Sequence, residues 1–486
     1  MRILVLLLTT GIASSAIAGK GAADRAGRWF RVSMNGTHVG SAFEVEEKRA
    51  TGNIVTRTVQ VVRLQRGGDL VDMQEEVRYE ETADGAPIRL ERRSRMSNQQ
   101  GEVAVATVLP GTSGIELVST VGGRSDTQRI ATDRRLRFPY GQRRRARETG
   151  FKAGAVYETV WFFPELKSVD AATVRVGAAQ SITLDSRTVS AIPIEASLTK
   201  LPIKMREWVN TAGDTLRLET EVGGFRVVAD RVLGESAASV KTGAPLDILE
   251  MTAVRSNRRI KTPRAVASAT YRIESRQGGL DAAKWTGPGQ KLVERRESWR
   301  RIRVTRIARG EPDPGTPEGQ KAYTAPTSVA QSDDASIRRV AKHIVRGEAD
   351  AWKRLKRVEA WVHHALSKKS YRVTFASAKE VLETREGDCT EHSVLVVALL
   401  RALGVPARGV FGLVYTTGLA RGEFGYHMWA EARLDGKWIP LDATLWAPAV
   451  DATHIRLGDS DLANPLADFA AIIPVVASGL RIDVIE

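Results

Sequence analysis

Apolar and polar side chains alternate along much of the first half of the chain, in short runs separated by Gly, Asn and Asp. The runs at 29–34 and 216–222 are examples. A period of two predicts β-strands with one buried face, and the pair Asn35 and Gly36 predicts a tight hairpin turn. Because no helical periodicity interrupts residues 19–232, we expect an antiparallel β domain there.

The next segment, 233–330, mixes strand-like stretches with breaks rich in Gly and Pro. The strand-like stretches lie at 248–254, 268–273 and 299–307, and the breaks lie at 287–289 and 310–317. The prolines between 312 and 317 exclude a helix and a central strand. We therefore predict a second small β module that ends in a linker.

Residues 331–486 show helical patterns first. Apolar residues three and four positions apart predict two amphipathic helices, at 337–345 and 352–366. A nearly continuous apolar run at 393–403 has the length of a helix and predicts a buried one. Asp388 precedes this run and has a side chain suited to capping a helix, so we expect the helix to begin directly after it.

Strand patterns follow the buried helix. Residues 407–415 predict one strand, and 426–431 and 438–444 predict two more around a turn at Asp435 and Gly436. This hairpin carries His427 on one side and Asp442 on the other.

The only cysteine of the chain, Cys389, stands at the first turn of the predicted buried helix. The unpaired N–H groups and the positive dipole end found there favour a thiolate over a thiol, and the same N–H groups can hold an oxyanion. A nucleophilic cysteine also needs a base and a group that orients the base. His427 and Asp442 are the candidates for these two roles. The alternative is that Cys389 is a buried structural residue.

Other polar residues lie near these three in the sequence. His392 is an alternative base, but we prefer His427, because a strand that faces the helix can hold an imidazole across a substrate carbonyl from the sulfur. We expect four residues to brace the site or to line the cleft: Asp388, Glu391, His392 and Trp429. Asp451 and His454 either line the cleft as well or form a polar turn. The neighbouring pair His363 and His364 is interpreted as structural, since consecutive helical residues point about 100° apart.

Four stretches resemble the transglutaminase-like superfamily: GDCTEH, RALGVPAR, YHMWAEARLDGKW and PLDAT. The resemblance extends over about 336–457. It implies a papain-like α+β domain in which Cys389 is the nucleophile, His427 the base and Asp442 the orienting acid. That superfamily includes amide cross-linkers, peptidases and inactive binding modules, so the resemblance does not choose among them.

The N-terminus predicts export. Met1 and Arg2 are followed by an apolar stretch at 3–9 and by small residues at 16–18, which is the pattern of a cleaved bacterial signal peptide over 1–18. We expect a periplasmic or secreted protein that does not span a membrane. A lone cysteine cannot form an internal disulfide, and an unpaired thiol in an oxidising compartment is a liability unless it has a use.

The formal net charge of +15 and the pI near 10.0 favour anionic partners. Since we expect export, we consider anionic envelope polymers as such partners and exclude nucleic acid. The basic clusters at 143–145 and 295–306 are interpreted as solvated strand faces.

These patterns predict an α+β protein with one or two N-terminal antiparallel β domains and a transglutaminase-type domain at 331–486. The first functional hypothesis is an exported cysteine enzyme that acts on amide bonds of an envelope peptide or protein through a thioester, with water or an amine as the final acceptor. The alternatives are a catalytically silent envelope binding module and a structural adaptor. We expect no cofactor and no metal.

Overall fold

The computed structural model describes residues 27–66, 68–97, 99–111, 114–201, 203–222, 225–233, 245–307, 320–370, 376–417, 422–446, 450–476 and 478–486. The predicted signal peptide and the linker at 312–317 lie outside these ranges. The chain divides into two compact units, with the main boundary between Leu246 and Asp247.

The first unit consists mostly of strands. They are β1 (Arg28–Met34), β2 (Thr37–Lys48), β3 (Ile54–Arg66), β4 (Asp69–Glu81), β5 (Pro87–Met96), β6 (Gln99–Val108), β7 (Gly114–Val121), β8 (Arg124–Ala131), β9 (Val156–Phe163), β10 (Ser168–Val176), β11 (Gln180–Leu184), β12 (Arg187–Leu198), β13 (Lys204–Val209), β14 (Thr215–Val222) and β15 (Phe225–Arg231). The one helix described among them is α1 (Pro139–Glu148), and a short 3-10 helix covers Pro164–Leu166.

These fifteen strands belong to one sheet, in the order β8-β7-β6-β5-β4-β3-β2-β1-β15-β14-β13-β12-β10-β9, with β11 paired to β12. Pairs such as β1 with β2 and β5 with β6 are antiparallel. The alternation in the sequence becomes an alternation of burial, as along β4, where Val71, Met73 and Val77 are buried. Asn35 and Gly36 both have positive φ and form the predicted turn between β1 and β2. The predicted N-terminal antiparallel sheet is confirmed.

Helix α1 was not expected, and it corrects the interpretation of the basic cluster at 143–145 as a strand face. Pro139 stands at the start of the helix, where its missing N–H costs nothing. Arg143 is buried, and its guanidinium pairs with the carboxylates of Glu44, at 3.5 Å, and Glu46. A pattern of hydrophobic residues assigns every arginine to the surface. It therefore cannot identify an arginine that is buried together with its ion-pair partners.

The second unit contains the remaining elements. Its helices are α2 (Ile248–Met251), α3 (Gln320–Thr324), α4 (Ala335–Ile344), α5 (Ala351–Ala365), α6 (Ala378–Thr384), α7 (Cys389–Ala402), α8 (Pro465–Ala471) and α9 (Ile473–Val476), with 3-10 helices at Pro263–Ala265 and Leu280–Ala282. Its strands are β16 (Arg255–Ser256), β17 (Ser268–Glu274), β18 (Gln290–Arg295), β19 (Trp299–Thr305), β20 (Lys368–Lys369), β21 (Glu386–Gly387), β22 (Ala407–Thr416), β23 (Glu423–Leu434), β24 (Lys437–Leu441), β25 (His454–Ser460) and β26 (Arg481–Val484).

The residues assigned from the sequence to a second β module share a core with the transglutaminase-type domain. Buried side chains of β17 and β19, such as Tyr271 and Ile302, belong to the same hydrophobic cluster as Val394 and Leu395 of α7. The five-stranded sheet has the order β16-β26-β17-β19-β18, so the strand near the C-terminus lies within it. Residues 248–251, expected as strand, form the short helix α2. Strand β26 pairs with β17, which lies about 200 residues earlier in the chain. Such a distant pairing has no local sequence signature, so the sequence predicted a separate module.

The four-stranded sheet positions the candidate site. Its order is β24-β23-β22-β25, and helix α7 packs on it with both of its faces buried. His427 on β23 lies opposite Gly412 on β22. A side chain at Gly412 would lie 2.6 Å from the Trp429 ring and 2.2 Å from the Ile455 carbonyl oxygen, so only glycine allows this close packing.

Gly387 holds the start of α7 in place. Its φ of +155° is rare for other residues, and a Cβ atom there would lie 2.3 Å from the Cβ of Glu391. We expect Gly387→Ala to lower the free energy of unfolding by about 3 kcal/mol or more, since strain and a clash combine. Urea unfolding followed by circular dichroism measures this change.

Gly347→Ala is the matched control, because Gly347 has a φ of +73° but nothing within 4 Å of the added atom. Strain alone should cost about 1 kcal/mol there. Equal destabilisation by the two variants would show that the contact with Glu391 does not constrain the helix start.

Candidate active site

Cys389 is the first residue of helix α7, as the sequence predicts. The Asp388 side chain caps the helix and accepts a hydrogen bond from the Thr390 N–H at 2.8 Å. The Glu391 carboxyl group accepts one from the Asp388 N–H at 3.1 Å, which completes a capping box. Cys389 is a partly exposed residue, and it stands at a helix start that these hydrogen bonds fix.

Glu391 and His392 are both buried and make contacts within the helix start. Burial and the nearby Asp388 carboxylate raise the pKa of Glu391 to about 8, so this side chain is largely neutral at pH 7. The Nδ1–H of His392 donates to the Asp388 carbonyl oxygen at 2.6 Å. These contacts attach both side chains to the turn that carries Cys389, which agrees with a bracing role.

His427 lies on β23 and connects the sulfur to a carboxylate. Its Nε2 is 2.8 Å from Asp442 Oδ2, and the Cys389 sulfur lies close enough to the same imidazole to raise its pKa. Burial alone would lower the pKa of His427, but the charge and hydrogen bond of Asp442, together with the Cys389 sulfur, raise it to about 9. The geometry therefore favours an imidazolium at neutral pH.

Asp442 follows β24 and is almost fully buried. Its Oδ1 accepts hydrogen bonds from the N–H groups of Thr444 at 2.9 Å and Leu445 at 3.3 Å. Its own N–H donates to Glu359 Oε1 of α5 at 2.8 Å. Burial alone would raise the pKa of this carboxyl group, but the two imidazoles that hydrogen-bond to it, His427 and His454, hold the pKa well below its usual value. Asp442 is therefore ionised and fixed in orientation.

Trp429 is the fourth neighbour expected from the sequence, and it packs beside the imidazole of His427. The two rings are stacked with centroids 6.2 Å apart. The same indole meets the His454 ring edge to face at 5.4 Å. Its contacts are consistent with support of the two histidines.

The sequence allows His454 to line the cleft or to belong to a polar turn, and the structure places it beside Asp442. Its Nε2 lies 3.1 Å from Asp442 Oδ2, the oxygen that also accepts from His427. Its Nδ1 faces Asp451, whose carboxylate pairs with Arg264 at 2.7 Å. Asp442 and His454 are twelve residues apart, and only the pairing of β25 with β22 brings His454 back to the site. No local motif signals such an approach.

Two groups of neighbouring residues contain more than one histidine, the residue type that most often binds metal. His427, Asp442 and His454 offer ligand atoms within 4.8 Å of one another, and this is the group with such spacing among the described residues. These atoms are already joined by hydrogen bonds, so we treat the group as a charge network. His363 donates from Nδ1 to the Ala443 carbonyl oxygen at 2.8 Å and stacks on Trp446, contacts that suit a structural residue.

Residues 338–443 match the family model described as the transglutaminase-like superfamily. The chain contains a transglutaminase-like domain. This match includes the helix start, the hairpin and Asp442, whereas His454 lies beyond it. A comparison with curated proteins finds no match to the chain.

Three solved structures are similar to parts of the chain. A candidate cysteine protease from Cytophaga hutchinsonii is 17% identical over 45% of this chain and 81% of its own, with a TM-score of 0.29. The periplasmic domain of TgpA from Pseudomonas aeruginosa, bound to ethylmercury, is 18% identical over 38% and 77%, with a TM-score of 0.26. A β-barrel-like protein of a domain of unknown function from Brucella abortus is 15% identical over 42% and 94%, with a TM-score of 0.35.

Within the described ranges, no helix combines the length and the apolar character needed to cross a membrane.

The raised pKa of His427 predicts a pH-dependent stability. Its value of about 9 in the folded protein lies above the ordinary value of 6.5, so the folded state binds this proton more tightly than the unfolded state. The resulting stabilisation is complete below about pH 6.5 and is lost as the pH rises through about 9. We expect the melting temperature of the wild type to fall over this interval more steeply than that of His427→Gln.

Calorimetry at several pH values measures the two curves. His343→Gln, which changes an exposed histidine of α4, serves as the control and should follow the wild type. Parallel curves for the wild type and His427→Gln would contradict a protonated His427 in the folded protein.

Proposed function

We propose that the protein is an exported cysteine enzyme that acts on amide bonds. The observation that carries this proposal is that His427 hydrogen-bonds to Asp442 and lies beside the Cys389 sulfur, which stands at a helix N-terminus. The transglutaminase-like domain supports the same class of chemistry. Cys389 is then the nucleophile, His427 the general acid and base, and Asp442 the residue that orients the imidazole.

The proposed reaction has two halves. In the first, the Cys389 thiolate attacks the amide carbonyl carbon, the C–N bond breaks, and the imidazolium of His427 gives its proton to the leaving nitrogen. The product is a thioester on Cys389 and a free amine. In the second, water or another amine attacks the thioester carbonyl, neutral His427 takes a proton from the attacking group, and the thiolate leaves. The helix dipole of α7 stabilises the thiolate before the first attack and again when it leaves in the second half of the reaction.

The substrate class follows from the proposed location. If residues 1–18 are a cleaved signal peptide, the enzyme meets peptides and proteins of the cell envelope rather than nucleic acid. Removal of residues 1–18 takes away one positive charge, that of Arg2, so the net charge falls from +15 to +14 and favours those attached to anionic envelope polymers. Incubation of a peptide library with and without an added primary amine separates the two fates of the thioester, because water yields acids and an amine yields new amides that mass spectrometry resolves.

We predict that Cys389→Ala abolishes amine release from such a library and leaves the circular dichroism spectrum unchanged. Alanine is tolerated at a helix start, and the change removes one sulfur atom. Cys389→Ser is the matched control, since it keeps the volume and polarity of the side chain but provides a much weaker nucleophile. Turnover in the alanine variant would refute the assignment of the nucleophile.

We predict that Asp442→Asn lowers kcat far more than it raises KM. The amide cannot stabilise the imidazolium of His427, and in serine-protease analogues the same change costs on the order of 10⁴ in turnover. A thiolate–imidazolium pair depends less on the third group, so this value is an upper bound. Steady-state kinetics decide the matter, and a loss confined to KM would show that Asp442 contacts substrate instead.

A further inference from the structure

The Asp442 carboxylate contacts two imidazoles, and the reaction described above uses only one of them. Oδ2 lies 2.8 Å from His427 Nε2 and 3.1 Å from His454 Nε2. The two rings have centroids 5.8 Å apart and both are buried. A group placed this close to the orienting acid affects its charge and its orientation.

The surroundings of His454 determine which protons it carries. Its Nε2 faces a carboxylate oxygen of Asp442, and its Nδ1 faces the carbonyl oxygen of Asp451 at 3.2 Å and a carboxylate oxygen of Asp451 at 3.5 Å. All of these oxygens are acceptors. A neutral imidazole has one N–H and one lone pair, so either tautomer would direct a lone pair at a buried oxygen. Only the imidazolium donates in both directions.

Asp451 itself is held as an anion. Its Oδ1 accepts hydrogen bonds from the N–H and the hydroxyl of Thr453, and Arg264 pairs with its Oδ2 at 2.7 Å. Burial alone would raise the pKa of Asp451, but His454, Thr453 and Arg264 lower it. The contact with His454 is therefore a contact with a negative charge.

Other charged groups near His454 do not change the conclusion that its ring faces two anions. Glu359 of α5 lines the same small space as His454, and burial raises its pKa despite the adjacent Lys356. On another side, Glu431 and Arg456 also lie close, but these two pair with each other at 2.7 Å. The charged groups that contact the His454 ring directly are thus its two acceptors, Asp442 and Asp451.

We propose that His454 is a permanently protonated positioning residue, which holds Asp442 ionised and correctly oriented toward His427. The effect of His454 on catalysis rests on the proposed function, whereas its protonation does not. With His454 protonated, charges alternate along a row that begins at the partly exposed Arg264, passes through the buried Asp451, His454, Asp442 and His427, and ends at the Cys389 thiolate.

The row explains two requirements of the proposed reaction. Asp442 cannot take the proton of His427, because the positive charge of His454 keeps the carboxylate ionised. The same positive charge also repels the imidazolium of His427, so that His427 gives its proton to the leaving amine more readily. Burial alone would lower the pKa of His454, but the hydrogen bonds that its ring donates to Asp442 and Asp451 raise it, in agreement with the geometry.

Nitrogen-15 NMR of histidine-labelled protein tests the charge directly, with EDTA present so that no metal replaces a proton. The chain has seven histidines, and the resonances absent from His454→Gln belong to residue 454. We expect both nitrogens of His454 to be protonated at pH 7 and at pH 8. A single-tautomer signal there would overturn the proposal. This measurement on the wild type needs no turnover, so it remains decisive even if Cys389→Ala retains activity and the proposed function fails.

Kinetics test the positioning role. Glutamine at 454 keeps an N–H donor for Asp442 but carries no charge, so we expect kcat to fall about ten- to a hundredfold with KM unchanged. The alkaline limb of the kcat profile should move to higher pH, because His427 loses a repelling neighbour and holds its proton longer. His343→Gln should match the wild type. A lower kcat with an unshifted alkaline limb would assign His454 a structural role only and refute positioning through charge.

Discussion

A buried carboxylate must be compensated, and the Asp442 carboxylate is compensated from several directions at once. Backbone N–H groups of the following turn bind one oxygen, and two imidazoles bind the other. Glu359 of α5 holds the backbone of the same residue. Without these donors, the buried carboxylate would lower the free energy of unfolding by several kcal/mol. The turn, strands β23 and β25 and helix α5 therefore have to meet at this point. The arrangement of the second unit around the candidate site follows from that demand.

The sulfur is fixed by a different principle. Helix α7 is buried along nearly its whole length, and residues 394–400 are all apolar, so its position is determined by packing. Its first turn, in contrast, is determined by polar contacts, namely the capping box between Asp388 and Glu391 and the close approach of Gly387. Hydrophobic packing places the helix, and the cap sets the exact turn at which Cys389 projects.

Local patterns predicted the parts of the structure that local physics determines. The apolar run of α7, its cap at Asp388 and the turn at Asp435 and Gly436 are all visible in the sequence, and each has the predicted secondary structure. His454 and β26 could not be found in this way. Their positions depend on strand pairing between distant segments, which leaves no periodic trace.

Burial of charged residues was the other source of error. Arg143 was expected on a solvated face because arginine is rarely buried, but it lies inside the first unit with two glutamates. A pattern of apolar residues does not show that an ion pair fills a position in the core. The errors at Arg143 and at the distant strand pairs therefore have the same origin, because in both cases residues far apart in the sequence determine the position.

The lone, partly exposed thiol of Cys389 has a consequence for redox chemistry. A sulfur held beside an imidazole at a helix start is a preferred target of peroxides, which convert it to a sulfenic acid. Many redox-sensitive proteins protect this state by forming a disulfide with a second cysteine. This chain has no second cysteine. A sulfenic acid at position 389 would thus be repaired only by a thiol from another molecule, and further oxidation to the sulfinic acid would be irreversible.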